Sequence, residues 1–183
     1  KTILEKFPAT ALLSFSALLI SSILGVLLGI ISAVKKYTIF DNSAMVFALF
    51  GISFPQFAFG LIMALVFGHL LKWFPISGYI NEGIQYLILP MLTLALRPLA
   101  ITARITRSSM LDVMNQDYVR TAKAKGLSST KVIFKHTLRN ALNPVITTIS
   151  ASLAATLGGV FFIEYIFNWP GIGLLAIDAI FKL

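Results

Sequence analysis

Apolar residues in this chain come in long unbroken blocks rather than in the alternating or three-to-four-residue stripes of a water-soluble domain. A helix crossing a bilayer core needs about 20 such residues, within a range of roughly 17 to 25. Four blocks are long enough. The first runs from Ala9 to Val34 without a charge and stops at Lys35-Lys36. The second runs from Ser43 to Leu71 and contains "GISFPQF", where Pro55 lacks a backbone donor and predicts a kink. The third spans Ile84 to Ala103 and is interrupted by Arg97-Pro98; the fourth spans Asn140 to Ile163 with only uncharged polar interruptions. The predicted fold class is all-α: a polytopic membrane protein with one transmembrane domain over residues 1–183.

Composition agrees. Of 183 residues, 57% are hydrophobic and 12% charged, about half the charged share of a soluble domain, and the mean hydropathy is +0.88. The absence of cysteine excludes disulfides, thiolate metal sites and cysteine nucleophiles. The first apolar block is too long for a cleaved signal peptide. The opening "KTILEKFPAT" and the closing "AIFKL" both look cut, so a longer native polypeptide is expected.

The net charge of +8 is placed unevenly. The first loop carries Lys35 and Lys36, and the second has only Lys72, beside Glu82. The third carries Arg104, Arg107, Arg120, Lys123, Lys125, Lys131, Lys135 and Arg139 against Asp112 and Asp117. Basic residues concentrate in cytoplasmic loops, so the first and third loops, including 104–139, are expected to be cytoplasmic. Trp73 and Trp169 then fall near the opposite interface with Tyr79, Tyr86 and Tyr165, as one aromatic belt. Helices in lipid approach through small residues. Gly25 and Gly29 form such a pair, and Ser150, Ala154 and Gly158 form a longer ridge beside Ala151, Ala155 and Gly159; ordinary packing inside the bundle is the expectation for all of them.

The basic loop has its own architecture. "DYVRTAKAK" favours a helix, Gly126 supplies a left-handed residue to end it, and Ser128 or Ser129 can cap a second helix in which Val132, Ile133, Leu138 and Leu142 recur at near-helical spacing. Orientation alone, with basic residues resting on membrane lipids, accounts for the charge but not for Gly126 and the cap. A DNA-binding helix-turn-helix has similar spacing, yet this one is leashed to a span on each side and lacks a free face for a groove, so no nucleic acid partner is expected.

"YVRTAKAKGLSSTKVIFKHTLRNALNPVI" resembles the cytoplasmic signature loop of ATP-binding-cassette importer permeases, and more narrowly the oligopeptide, dipeptide and nickel branch. In the general motif a Glu-Ala-Ala triplet precedes a glycine; here Arg120, Thr121 and Ala122 occupy the triplet and Gly126 the glycine, while Arg139 departs from the later Leu-Pro. "GISFPQF", "WFPISG", "RSSMLDVMNQDYVRTAKAKG" and "FIEYIFNWPGIG" are similar to the same branch in the same order. The resemblance implies a type I importer transmembrane domain with a further helix before Lys1 and another after Leu183. It implies as partners a second homologous permease subunit, two ATPase subunits and an extracytoplasmic substrate-binding protein. ATP and magnesium would sit on the ATPases, with no cofactor or metal in this chain.

In that frame the loop at 112–139 is the coupling loop, and its core at 118–136 docks on an ATPase. Arg120, Lys123 and Lys125 would steer docking; Tyr118, Val119, Ala122 and Leu127 would give apolar contact, with Thr121 and Gly126 in the same surface. The chain has no "GxxxxGK[ST]" loop and is not expected to hydrolyse ATP. His69 and His136 lie apart, so no metal or acid–base pair is expected. Two readings stay open for Arg97, a pathway or gate residue alongside Pro55, or a side chain that snorkels or pairs structurally. Two stay open for Glu164, which with Trp169 either contacts the binding protein or pairs locally. The alternative from another class is a secondary transporter or channel without ATPases; mid-span acidic relays would mark it, and the four blocks hold none. Whether the substrate is a peptide or a nickel chelate is open.

Overall fold

The computed structural model describes residues 2–181, and the regular elements among them are all helical. Helix α1 spans Thr2–Val34. Lys35 to Thr38 reverse the chain: Tyr37 takes φ 63°, and the Thr38 side chain caps α2, Ile39–Ser53, by accepting the Asp41 N–H. Helix α3 covers Gln56–Leu70 and ends in a wide π-helical stretch from Ala64. Helix α4 spans Gln85–Met114, α5 spans Asp117–Ala124, and α6 spans Ser129–Gly159 with a π-helical stretch at Val132–Leu138. Two short helices follow, α7 at Phe161–Ile166 and α8 at Ile172–Phe181.

Three expected spans differ from the observed ones. The Ser43–Leu71 block does not merely kink; α2 and α3 meet at 106°. Pro55 cannot donate and also forces the preceding residue out of the helical region, so Phe54 and Pro55 both become extended (ψ 132° and 125°). Arg97-Pro98 does the reverse of what was expected and leaves α4 continuous. The same helix carries Arg104 through Met114, residues assigned above to the loop. The fourth span starts at Ser129, inside the basic island, and stops at Gly159 rather than Ile163. The second helix of the island and the last long span are therefore one rod.

Helix α4 is the hub, packed against α1, α2, α3 and α6. Its main partner is α1, which buries a stripe of small and hydroxylated residues at three- to four-residue spacing: Thr10, Ser14, Ala17, Ser21, Gly25, Gly29 and Ser32. Leu19, Ile23 and Leu27 on the other side are 64, 52 and 50% exposed. This is the pattern of helices that associate by backbone approach in lipid, not by hiding leucine from water. A Cβ on Gly25 would stand 2.8 Å from Thr102 Cβ and 2.9 Å from the Leu99 carbonyl oxygen; Gly29 is pressed as closely against Thr106 and Ala103. The α6 ridge does not pack this way. Ser150, Ala151, Ala154, Ala155, Gly158 and Gly159 are all exposed among the described residues, and only Ser152 and Thr156 beside them are buried.

Candidate functional site

The basic island is a closed knuckle. At the end of α5 the Gly126 N–H donates to the Lys123 carbonyl (2.9 Å) and the Leu127 N–H to the Ala122 carbonyl (3.4 Å), the paired bonds of a Schellman turn, with Gly126 left-handed at φ +76°. A Cβ at Gly126 would meet nothing within 4 Å. Glycine is required there by backbone conformation and not by space. Ser128 takes the extended cap conformation before α6, but its side chain makes no cap bond.

Inside the turn, Val119 (0% exposed), Ala122 and Val132 form a small core with Val113 and Leu127. This corrects the expected docking surface: Val119 and Ala122 hold the knuckle together and have no face left for a partner. Tyr118, Arg120, Thr121, Lys123, Lys125 and Gly126 are exposed, and Leu127 is half-buried. The Tyr118 hydroxyl accepts from Asn140 Nδ2 (2.8 Å), tying α5 to the rod of α6. Phe134, 58% exposed, is an apolar side chain on the island that sequence reasoning passed over.

The knuckle is braced against the bundle. Val113 joins its core to a second cluster of Ala33, Met110 and Ala141, which brings together α1, α4 and α6, and Ser109 Oγ donates to the Ala141 carbonyl (2.9 Å). Beside it is a feature the sequence reading missed. Asp41, fully buried, accepts from Arg107 Nε and Nη2 at 2.5 and 2.6 Å and from the Tyr37 N–H at 2.9 Å. This two-pronged pair fastens the start of α2 to α4 at the basic end. No spacing rule links residues 41 and 107; the only clue was an acid just before an apolar block.

Midway along α4, Arg97 opens onto a cleft of about 240 Å³ lined by Gln56, Pro98, Ile101, Ser152, Ala155, Thr156 and Gly159. The break at Pro55 puts Gln56 at the first turn of α3, against α4. Pro98 has no N–H for the Leu94 carbonyl, and Gln56 Nε2 donates there instead at 3.0 Å, reaching the Thr93 carbonyl at 3.5 Å. The two prolines are thus complementary, one positioning the amide and the other leaving an acceptor for it. Arg97 is ten residues, about 15 Å of helix rise, from Arg107 at the basic end. Its side chain is exposed and lines the cleft.

At the opposite end, Glu164 and Trp169 are both 0% exposed, so of the two readings left open above the local pairing is the one observed and contact with an outside protein is not. Glu164 Oε2 accepts from the Gly173 and Leu174 N–H groups (2.6 and 3.2 Å), Oε1 accepts from Thr10 Oγ1 (2.6 Å), and Thr10 Oγ1 accepts from the Ile172 N–H (2.9 Å). The carboxylate occupies the start of α8, where free N–H groups and the helix dipole favour it. Trp169 is turned inward: its Nε1 donates to the Ala9 carbonyl (2.9 Å) and its ring meets Tyr79 edge-on at 4.9 Å. Trp73 stays 64% exposed.

Comparison with known proteins shows the family. The family described as binding-protein-dependent transport system inner membrane component matches residues 25–183. A di/tripeptide transport system permease protein of Pseudomonas aeruginosa is 41% identical over 97% of this chain and 60% of its own length. An oligopeptide transport system permease protein of Bacillus subtilis is 40% identical over 98% and 60%. A glutathione transport system permease protein of Escherichia coli K12 is 42% identical over 97% and 58%. The chain thus spans about three-fifths of the length of these curated relatives.

Proposed function

The chain belongs to the family of binding-protein-dependent transport system inner membrane components, helical multi-pass proteins of the inner membrane with the fold of a type I importer membrane domain, and from that premise we propose that it is a pore-forming subunit of an ATP-driven peptide importer. The knuckle at 118–136 docks on a separate ATPase subunit, and a second permease subunit completes the pore. An extracytoplasmic binding protein delivers substrate. The named specificities of the three relatives are di/tripeptide, oligopeptide and glutathione, which favours peptides over nickel chelates.

One observation carries the coupling role: the knuckle closes on its own core, and that core runs into the bundle. Docking forces on α5 pass through Val119, Val132 and Val113 to the cluster of Ala33, Met110 and Ala141, and so reach α1, α4 and α6 together. Because α6 continues from the knuckle into the span, displacement of its base tilts the rod. The exposed small-residue face of α6 and the cleft at Arg97 then form one wall of the pathway, with the Pro55 break beside it.

In the assembled importer, Gly126→Val distorts the turn without filling any space. The expected result is normal assembly and retained ATP hydrolysis with uptake lost. Uptake at the wild-type rate per ATP would overturn the docking role.

A further inference from the structure

Among the described residues Arg97 is a cation without an anion. The acidic side chains of the described residues are committed or distant. Asp41 holds Arg107, Glu164 holds the start of α8, and no carboxylate lies within 4 Å of Arg97 among the described residues. A guanidinium at mid-span is costly unless something pairs with it in use. Its surroundings mix apolar Pro98 and Ile101 with the Ser152 and Thr156 hydroxyls on α6, the Gln56 amide on α3, and small Ala155 and Gly159 that leave room beside them. Gln56 has spent its N–H on α4 carbonyls, and its Oε1, 3.8 Å from where a Cβ on Gly159 would stand, remains an acceptor. The cleft therefore offers a planar cationic donor next to a neutral acceptor.

On the reading that this cleft lines the transport pathway, we propose that Arg97 is a specificity residue that receives the terminal carboxylate of the passing peptide, with Gln56 Oε1 accepting a peptide N–H beside it. Guanidinium and carboxylate match as a two-bond fork. At about 240 Å³ the cleft is smaller than the roughly 300–1,000 Å³ of a closed small-molecule site, so it takes one end of the substrate and not the whole of it. A site that binds one end serves peptides of different lengths equally. A single charge-assisted contact is also weak enough to be released, as transport requires.

The test uses the complete importer in proteoliposomes, with its binding protein, supplied with a mixed tripeptide library bearing free C-termini and with the same library C-amidated, uptake being read by mass spectrometry. The binding protein is common to every arm, so its own selection cancels in the ratio of acid to amide uptake. In Arg97→Gln that ratio is expected to fall about 10- to 100-fold relative to wild type, the value of one hydrogen-bonded charge, with amide uptake unchanged; Arg97→Lys keeps part of it. Ala155→Asp places a competing carboxylate on the same wall and is expected to lower the ratio with Arg97 intact, which decides the matter if the Arg97 variants do not assemble. An unchanged ratio in R97Q and A155D, or equal loss of both libraries with intact assembly, overturns the carboxylate role and points instead to a structural pairing with the second subunit. The pathway reading has a separate readout: residues 1–183 hold no cysteine, so Ala155→Cys, compared with the parent importer labelled in parallel, adds one thiol of known position. Its labelling by a water-soluble reagent, slowed by transported peptide, is expected whether or not Arg97 selects carboxylates; no labelling in any state overturns the pathway and the carboxylate role together.

Discussion

The two ends of the bundle are closed by opposite means. At the basic end the knuckle is local: its turn bonds and its core of Val119, Ala122 and Val132 lie within about twenty residues of one another, and the face it presents is charged and exposed. At the other end the closure is long-range and polar, since Thr10 meets Glu164 and Ile172 across more than 150 positions and Trp169 reaches Ala9 across 160. The difference teaches where mobility is allowed. A local knuckle moves as a unit because nothing distant pins its outer face, whereas a knot of buried hydrogen bonds joining α1, α7 and α8 breaks only at the full cost of desolvated donors.

Breaking the outer knot is expected to have the largest effect. Glu164→Ala leaves the buried Gly173 N–H and the part-buried Leu174 N–H without an acceptor, costing on the order of 3 kcal/mol at roughly 1–3 for a fully buried donor. The thermal midpoint of the purified subunit in detergent should drop sharply, and E164Q, which keeps one acceptor oxygen, should lie between. A midpoint unchanged in E164A would mean the knot is not what closes that end.

The Asp41–Arg107 pair tests the boundary between the two regimes, being long-range but at the basic end. Asp41→Ala strands an arginine whose side chain is only 20% exposed and is expected to cost about 3 kcal/mol. The double variant D41N/R107M should recover part of that loss, because asparagine still accepts from Tyr37 and no unpaired charge remains. Equal midpoints for single and double variants would contradict a charge-pair origin.

Gly126→Val comes next. Left-handed geometry costs an ordinary residue about 1–2 kcal/mol, and a β-branched one more. The effect should stay local: amides at 117–127 exchange hydrogen faster while those of α7 and α8 do not change, and Gly126→Asn behaves nearly as wild type. Faster exchange at both ends would erase the distinction drawn above. The smallest effect belongs to Arg120→Ala. Its contact with Asp117 is 3.8 Å long between exposed groups, so stability should change by less than about 0.5 kcal/mol, while affinity for the ATPase subunit falls and loses salt dependence.

Much of the island was legible because its determinants are adjacent in sequence. Helix formers and a glycine in order specify helix, turn and helix, and the structure realises these, though the Ser128 side chain makes no cap bond. Which face of α5 looks outward was not legible: Val119 and Ala122 were assigned to a partner because nothing local says that Val132 and Val113 already cover them. The cleft was half legible. Pro55 and Arg97 were singled out by their chemistry, but that Pro98 frees a carbonyl and that Gln56 answers it depends on two helices meeting. For Trp169 and Glu164 the choice between an outside contact and a local pairing was not legible for the same reason, since their buried partners are distant in sequence.

By itself the amino-acid order determined the solvent, the apolar stretches, the side on which the charge collects and the turn at Gly126. Those are set by burial of apolar length and by backbone preference, both of which act over a few neighbouring residues. Tertiary structure alone decided that the Pro55 site is a 106° break, that the island and the last long span are one rod, and which polar groups are paired. In lipid, where apolar surface does not choose a partner, helices are sorted by close approach and by satisfying buried donors and acceptors; such pairings exist only once distant segments are side by side.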